Sequence, residues 1–244
     1  MAEERTPQDT LVDQVAAFAE LGGIVFAEHS LAAVMERIAA LAKATIPGAD
    51  EVSVTLVNGE PVTAAATGSL ALDVDEAQYA AGTGPCLDAA EAATTVLIAD
   101  MAAEDRWPEV TPVARDRGAQ SSLSIGLPVQ QRVYGALNIY SRSPHAFDGD
   151  AVAAAESFAR YAAVAVANAT LYQATAALAE QMKEAMKTRA VIDQAKGILM
   201  GAHGCDSETA FSLLVTASQR HNRKLREIAQ GIVDSVQRHS PPGG

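Results

Sequence analysis

Val52-Ser53-Val54-Thr55-Leu56-Val57-Asn58-Gly59-Glu60-Pro61-Val62-Thr63-Ala64 decides how the first part of this chain folds. A run of alternating β-formers meets Asn58-Gly59, and β-formers resume after it. Both turn residues tolerate a positive φ, which a tight two-residue hairpin turn requires, so the stretch predicts two antiparallel strands.

Upstream, Leu11, Val15, Phe18 and Leu21 fall at helical spacing before a break at Gly22-Gly23. Ser30 then opens an amphipathic helix through Leu31, Val34, Met35, Ile38 and Leu41, which stops at Pro47-Gly48. Downstream, the residues from Asp73 to Ala81 predict a short helix. Gly82-Thr83-Gly84-Pro85-Cys86 makes a sharp turn into another helix that ends near Ala93, and Thr95 to Ile98 predicts a strand. Residues 100–119 read as irregular around Trp107-Pro108, with a helix that ends at Gly118. Ser122–Val129 and Val133–Tyr140 predict two further strands joined by Gln130-Gln131-Arg132. Pro128 lacks an N–H and belongs at an edge, a bulge or a strand end. From Asp148 the pattern is helical to about Met200. The class is α+β with a largely antiparallel sheet, followed by an all-helical segment.

Composition narrows the function classes. The chain has 244 residues and only two cysteines, Cys86 and Cys205, far apart in sequence, which excludes a disulfide framework and CxxC metal clusters. Met1 to Thr6 is polar and acidic, unlike a signal peptide, and the longest clean apolar run, Tyr161 to Ala167, is too short to span a bilayer. These features predict a soluble, cytoplasmic protein with no membrane partner. The 51 alanines inflate the 49% hydrophobic content and favour helices with modest cores. Charge is uneven: residues 1–182 hold 9 Lys+Arg against 24 Asp+Glu, whereas residues 183–244 hold 9 against 6. A basic tail on an acidic body points to a partner for the tail.

In the long helix, heptad position d takes Val164, Leu171, Leu178, Ala185, Ile192 and Leu199. Position a takes Asn168, Thr175, Met182, Arg189 and Lys196. With d apolar throughout and a mostly polar, this is half a coiled-coil seam, and residues 168–188 are expected to pair in a parallel homodimer. Beyond it, Asp206 or Ser207 can cap a second helix with an apolar set of Phe211, Leu214, Val215 and Ser218. A third helix from about Lys224 carries the stripe Leu225, Ile228, Ala229, Ile232, Val233 and Val236.

Arg189-Ala-Val-Ile-Asp-Gln-Ala-Lys-Gly-Ile-Leu-Met200, then Gly204 to Phe211, then Leu225 to Val233, resembles the ANTAR family of antitermination regulators. The family implies a dimeric three-helix module that grips paired stem-loops in nascent RNA. Gly82-Thr-Gly-Pro-Cys-Leu87, Asp105-Arg-Trp-Pro108, the strand pair 121–140 and Pro144-His-Ala-Phe147 resemble a GAF domain. That resemblance implies an antiparallel sheet flanked by helices, with a small-molecule pocket on one side. The expected organisation is a helical leader at 1–27, a GAF sensor at 28–170 and a coiled-coil signalling helix at 171–182. An ANTAR RNA-binding domain at 183–238 and a disordered tail at 239–244 complete it.

Arg189, Asp193, Lys196 and Met200 share one helix stripe, so Arg189 and Lys196 can reach one phosphate track. Ala195 and Gly197 leave room for a close backbone. Arg220, Asn222, Arg223 and Lys224, between the second and third helices, offer further phosphate contacts and, through Asn222, a base edge. These eight residues form the expected RNA-binding set. The competing roles are a cation at a helix C-terminus for Arg220 and coiled-coil register for Arg189 and Lys196. No aromatic interleaves the basic region in sequence, so recognition is expected to rest on RNA shape, backbone and a few polar contacts.

No catalytic set emerges. GAF domains that reduce free methionine sulfoxide need additional cysteines to resolve a sulfenic acid, and those that bind a bilin place His after the Cys, where Leu87 stands here. The signature of cyclic-nucleotide GAF domains is missing too. Cys86 therefore reads as a buried small hydrophobe, and His29 and His145 as isolated surface or structural residues. No metal and no cofactor are expected, and a ligand of the GAF domain is left unidentified. The competing functions are a DNA-binding regulator, disfavoured for want of an exposed recognition face flanked by basic arms, and a GAF enzyme with a helical dimerisation tail.

Overall fold

The computed structural model describes residues 7–25, 27–130 and 133–239. Residues 1–6 of the expected leader, Gln131 and Arg132 of the expected turn, and residues 240–244 of the expected tail lie outside the described residues. The chain divides into two compact units, Met1–Gln173 and Ala174–Gly244.

In the first unit, helices α1 (Pro7–Gly22) and α2 (Leu31–Thr45) precede the hairpin of β1 (Glu51–Asn58) and β2 (Glu60–Ala66). Helices α3 (Ser69–Ala81) and α4 (Pro85–Ala92), strand β3 (Thr95–Ile98) and helix α5 (Thr111–Asp116) follow. Strands β4 (Ser121–Gln130) and β5 (Val133–Ser141) complete the sheet, and α6 (Gly149–His203) begins beyond it. The five strands run in the order β2-β1-β5-β4-β3, all neighbours antiparallel. Asn58 pairs with Glu60 across Gly59, whose φ is 92°, so the hairpin forms where expected, but Asn58 belongs to β1 and does not take a positive φ, unlike the two-residue turn predicted. Pro128 sits at a register shift between β4 and β5, where its missing N–H costs no ladder bond. Ser30 caps α2, its hydroxyl accepting from the Ala33 N–H at 3.1 Å.

Side chains alternate between the two sheet faces. One face is apolar: Val52, Val54, Leu123, Leu127, Leu137 and Ile139 are buried against α2 and the first turns of α6, including Phe158 and Val166. Phe18 of α1 stacks on Tyr161 with ring centroids 4.4 Å apart, fastening α1 to the same layer. The opposite face carries Ser53, Thr55, Ser122, Ser124, Asn138 and Tyr140, and all are buried as well. It lies under α3, α4 and α5, where Leu70, Val74, Trp107 and Val110 build a second core and Cys86 and Ala90 a third. Strands that alternate apolar and polar often face water on their polar side. Here both faces are covered.

α6 contains an 18-residue window of mean hydropathy 1.2, long and apolar enough by composition to cross a membrane, contrary to the expectation from its longest unbroken apolar run. Alanine supplies that hydropathy. In the first unit, Ala151, Ala155, Phe158, Ala162 and Val166 are buried against the sheet, while Tyr161 and Val164 are exposed.

In the second unit, the end of α6 packs with α7 (Ser207–His221) and α8 (Leu225–His239). Asp206 caps α7 by accepting from Thr209 N–H at 2.8 Å. The core is small: Ala195, Leu214, Ala229 and Val233, ringed by half-buried Val191, Ile192, Ile198, Leu199, Leu225, Ile228 and Ile232. α8 uses the stripe read from sequence except at Val236, which is 43% exposed. α7 uses its set only in part: Leu214 is buried and Val215 and Ser218 half-buried, but Ala210 is buried instead of Phe211, which is 41% exposed.

Candidate functional site

The buried polar face of the first unit converges on Asp75 of α3. Its Oδ1 accepts from the Tyr140 hydroxyl at 2.6 Å and its Oδ2 from the Thr63 hydroxyl at 2.8 Å. Thr63 spends its one proton on Asp75, so Tyr79 donates to Thr63 (2.9 Å), and Thr55 in turn donates to Tyr79 (2.9 Å). Asn138 Nδ2 donates to Thr55 at 2.9 Å. The donors thus run in one direction from β5 through β1 and β2 to a single carboxylate. Burial pushes the Asp75 carboxyl up to about 6 against the hydrogen bonds that pull it down. Three buried side-chain atoms on this face, Ser122 Oγ, Ser124 Oγ and Asn138 Oδ1, have no hydrogen-bond partner among the described residues. Register places Ser122 beside Tyr140 and Ser124 beside Asn138.

Two helices that roof this face are capped from a distance. Gly68 has no side chain to cap α3, and Glu51 of β1 does so, its Oε2 accepting from Ala71 N–H at 3.1 Å while Arg142 holds Oε1 at 2.9 Å. Gln78 accepts from Cys86 N–H at 2.8 Å at the start of α4 and donates through Nε2 to Tyr140 at 3.1 Å. The Gly82-Thr83-Gly84 turn allows this. Gly84 has φ 153°, and a Cβ there would collide with the Gln78 amide. Trp107 closes the roof, its indole N–H donating to Asp88 at 3.1 Å under the Arg106 guanidinium.

Cys86 is fully buried below the first turn of α4, and burial together with the Asp75 charge pushes its thiol up, away from the thiolate. Cys205 belongs to the second unit and is half-buried. Among the described residues no group of three His, Cys, Asp or Glu side chains could hold a metal ion.

In the second unit the eight expected RNA-binding residues separate. Arg189 is exposed on α6 and pairs with Asp193 at 3.7 Å. Lys196, one side of its chain sheltered, pairs with the same carboxylate at 3.5 Å. Gly197 is exposed, and a Cβ there would meet open space. Arg220, Asn222, Arg223 and Lys224 are exposed at the α7–α8 turn, where Asn222 takes the left-handed conformation that ends α7. Arg226 of α8 reaches Glu184 of α6 at 3.2 Å, which ties this turn to the α6 segment just before Arg189. Arg189 and the turn cations therefore share one end of the three-helix unit, and Lys196 and Gly197 lie about 10 Å along α6 from Arg189. Ala195 departs from the expectation. It is fully buried against Leu214, Ala229 and Val233, so its methyl keeps three helices close and does not face a ligand.

The aromatic that sequence order hides is Phe211. It lines a groove of about 610 Å³ between α6 and α7 together with Arg189, Ile192, Asp193 and Lys196. Its exposure is the signal, and the 3-4-7 apolar spacing of α7 concealed it by making it core.

The chain belongs to the GAF domain family, whose model matches residues 28–167, and the ANTAR domain model matches residues 180–233. The GAF part is a sensor domain, and an ANTAR domain implies an RNA-binding antitermination regulator. No curated protein matches the chain. Among solved structures, the GAF domain of a phosphoenolpyruvate-protein phosphotransferase from Coxiella burnetii is 18% identical with TM-score 0.52, over 70% of this chain and 99% of that one. Free methionine-R-sulfoxide reductase from Neisseria meningitidis, in complex with its substrate, is 18% identical with TM-score 0.53, over 71% and 96%. The chromophore-binding domain of an unusual bacteriophytochrome from R. palustris is 14% identical with TM-score 0.51, over 70% and 65%. At these identities the likeness is one of fold. GAF followed by ANTAR is an arrangement typical of non-enzymatic regulators, although GAF relatives include the reductases.

Proposed function

We propose that this chain is a cytoplasmic, homodimeric regulator that binds paired stem-loops in nascent RNA and so prevents a terminator hairpin from forming. The ANTAR match over residues 180–233 carries the proposal. Exposed Arg189, Arg220, Arg223 and Lys224 at one end of the candidate surface, and half-buried Lys196 beside the bare Gly197 at the other, support it. Cations at this spacing suit the phosphates on two sides of a folded loop, and binding of that kind weakens steeply with salt. Input enters through the GAF domain.

A gel shift of the full chain with tandem stem-loop RNA and with duplex DNA of equal length tests the proposal. Preference for the RNA, lost progressively with added salt, supports it. Equal affinity for both polyanions, or preference for DNA, overturns it.

A further inference from the structure

The described methionines sort by exposure. Met35 and Met101 are buried in the cores of the first unit, whereas Met182, Met186 and Met200 are exposed on the part of α6 that belongs to the second unit, Met182 by 59%. A thioether fills apolar space as a flexible side chain, and its sulfur is readily oxidised when reached from solvent.

Met182 stands where oxidation has the largest consequence. Of the second unit's a positions, Thr175, Met182, Arg189 and Lys196, only Met182 is apolar, and it lies between the d residues Leu178 and Ala185. The charged side chains of this stretch do not substitute for it. Lys183 pairs with Glu180 at 3.5 Å and Lys187 with Glu184 at 3.8 Å within the one helix, at positions b, c and f, which face away from the seam. Positions e and g, where opposite charges ordinarily hold two helices together, take Ala179, Gln181, Met186 and Thr188. Pairing here therefore depends on Leu178 and Met182, because Ala185 contributes little apolar area.

Resting on the homodimer reading above, we propose that Met182 is a redox-sensitive site: its oxidation to the sulfoxide by a hydroperoxide separates the two copies, and with them the two RNA-binding units. A lone pair on the Met182 sulfur takes the terminal oxygen of the hydroperoxide and the O–O bond breaks. The proton on that oxygen passes to the leaving oxygen, giving the sulfoxide and an alcohol, or water from hydrogen peroxide. Sulfur loses two electrons and the peroxide gains them. The product carries a polar S=O at the centre of the seam, where burial without a hydrogen-bond partner opposes pairing. Single chains expose the sulfur and paired chains cover it, so oxidation draws on the single chain and pulls the equilibrium toward it. Met186, at position e, borders the seam and matters less.

The test treats the full chain with hydrogen peroxide, locates the added oxygen by peptide mass spectrometry and follows the dimer by sedimentation equilibrium. Oxidation at Met182 should weaken the dimer about tenfold or more with Trp107 fluorescence unchanged, and it should run faster in dilute protein than in concentrated. Met35 and Met101, which stay reduced while the first unit is folded, separate this from unfolding. Met182→Leu should form dimers that peroxide leaves intact, and Met186→Leu dimers that remain sensitive. Met182→Gln should weaken the dimer without peroxide. A methionine sulfoxide reductase should restore the oxidised wild type. Full oxidation at Met182 with no loss of dimer, or the same loss in Met182→Leu as in the wild type, overturns the redox site and leaves the dimer standing. Wild type that is monomeric at micromolar concentration before peroxide is added overturns the homodimer reading, and the redox site with it.

Discussion

The Tyr140 hydroxyl on β5 donates to Asp75 Oδ1 on α3 at 2.6 Å, joining the middle of the sheet to the helix that covers its polar face. Asp75 is the terminus of a one-way chain of donors, and burial raises its carboxyl from 3.8 to about 6. The folded form therefore holds this proton more tightly than the unfolded chain. The stability it contributes is complete below about pH 4 and is lost as pH rises through 6, a change on the order of 3 kcal/mol.

Asp75→Asn should flatten that part of the pH dependence, measured as the difference from wild type in denaturation midpoints between pH 4 and 7.5. Trp107 is the single tryptophan and is buried in the first unit, so its fluorescence follows this domain alone. Tyr140→Phe removes a bond that pulls the Asp75 carboxyl down, so its transition should move above pH 6. Parallel curves for wild type and Asp75→Asn across this range would show that Asp75 is not the titrating group.

Gly68→Ala should destabilise the first unit by about 1–3 kcal/mol, because its Cβ would collide with the Glu51 carboxyl that caps α3. Gly59→Ala is the control of opposite kind: its φ of 92° strains the turn, but its Cβ would meet open space. Denaturation followed by Trp107 fluorescence compares the two. A smaller loss at Gly68 than at Gly59 would mean that Glu51 swings aside at little cost.

What sequence conveys and what it hides separate along physical lines. The Asn58-Gly59 hairpin, the Ser30 and Asp206 caps and the α8 stripe are local, and each was readable because its cause lies within a few residues. The Asp75 network joins Thr55, Thr63, Tyr79, Asn138 and Tyr140 across four elements, and no spacing rule connects residues that a sheet brings together. Gln78 as the cap of α4 was hidden for the same reason. Phe211 was misplaced because apolar volume marks a core only when the competing face is visible, and the true core face of α7 is built on Ala210, which contributes little volume. Ala195 was given a ligand role for its smallness, which helix packing explains instead.

Ala195→Leu and Lys196→Ala, adjacent in sequence, should fail differently. The first overfills a core of four buried residues and should cost about 1–3 kcal/mol, seen as lowered helicity on heating while Trp107 fluorescence is unchanged. The second should leave thermal unfolding alone, weaken RNA binding and reduce the slope of log affinity against log salt by about one. An unaltered slope in Lys196→Ala would remove that side chain from the phosphate track.

The seam of α6 supplies the last prediction. Leu178 and Met182, successive d and a positions, are 57% and 59% exposed in the single chain, and Met186 is 72% exposed. Large apolar side chains in such a row gain free energy only by being covered, and a second copy in parallel offers each the same residue across the seam. Sedimentation equilibrium should find dimers at micromolar concentration. Leu178→Lys with Met182→Lys should weaken the dimer on the order of a hundredfold or more, since two buried side chains of this size are each worth about 1.5–3 kcal/mol and the added cations repel across the axis. Trp107 fluorescence should not change, because both substitutions lie in the second unit. Monomers in the wild type at these concentrations would exclude the paired helix, and with it any grip on two stem-loops that depends on two copies.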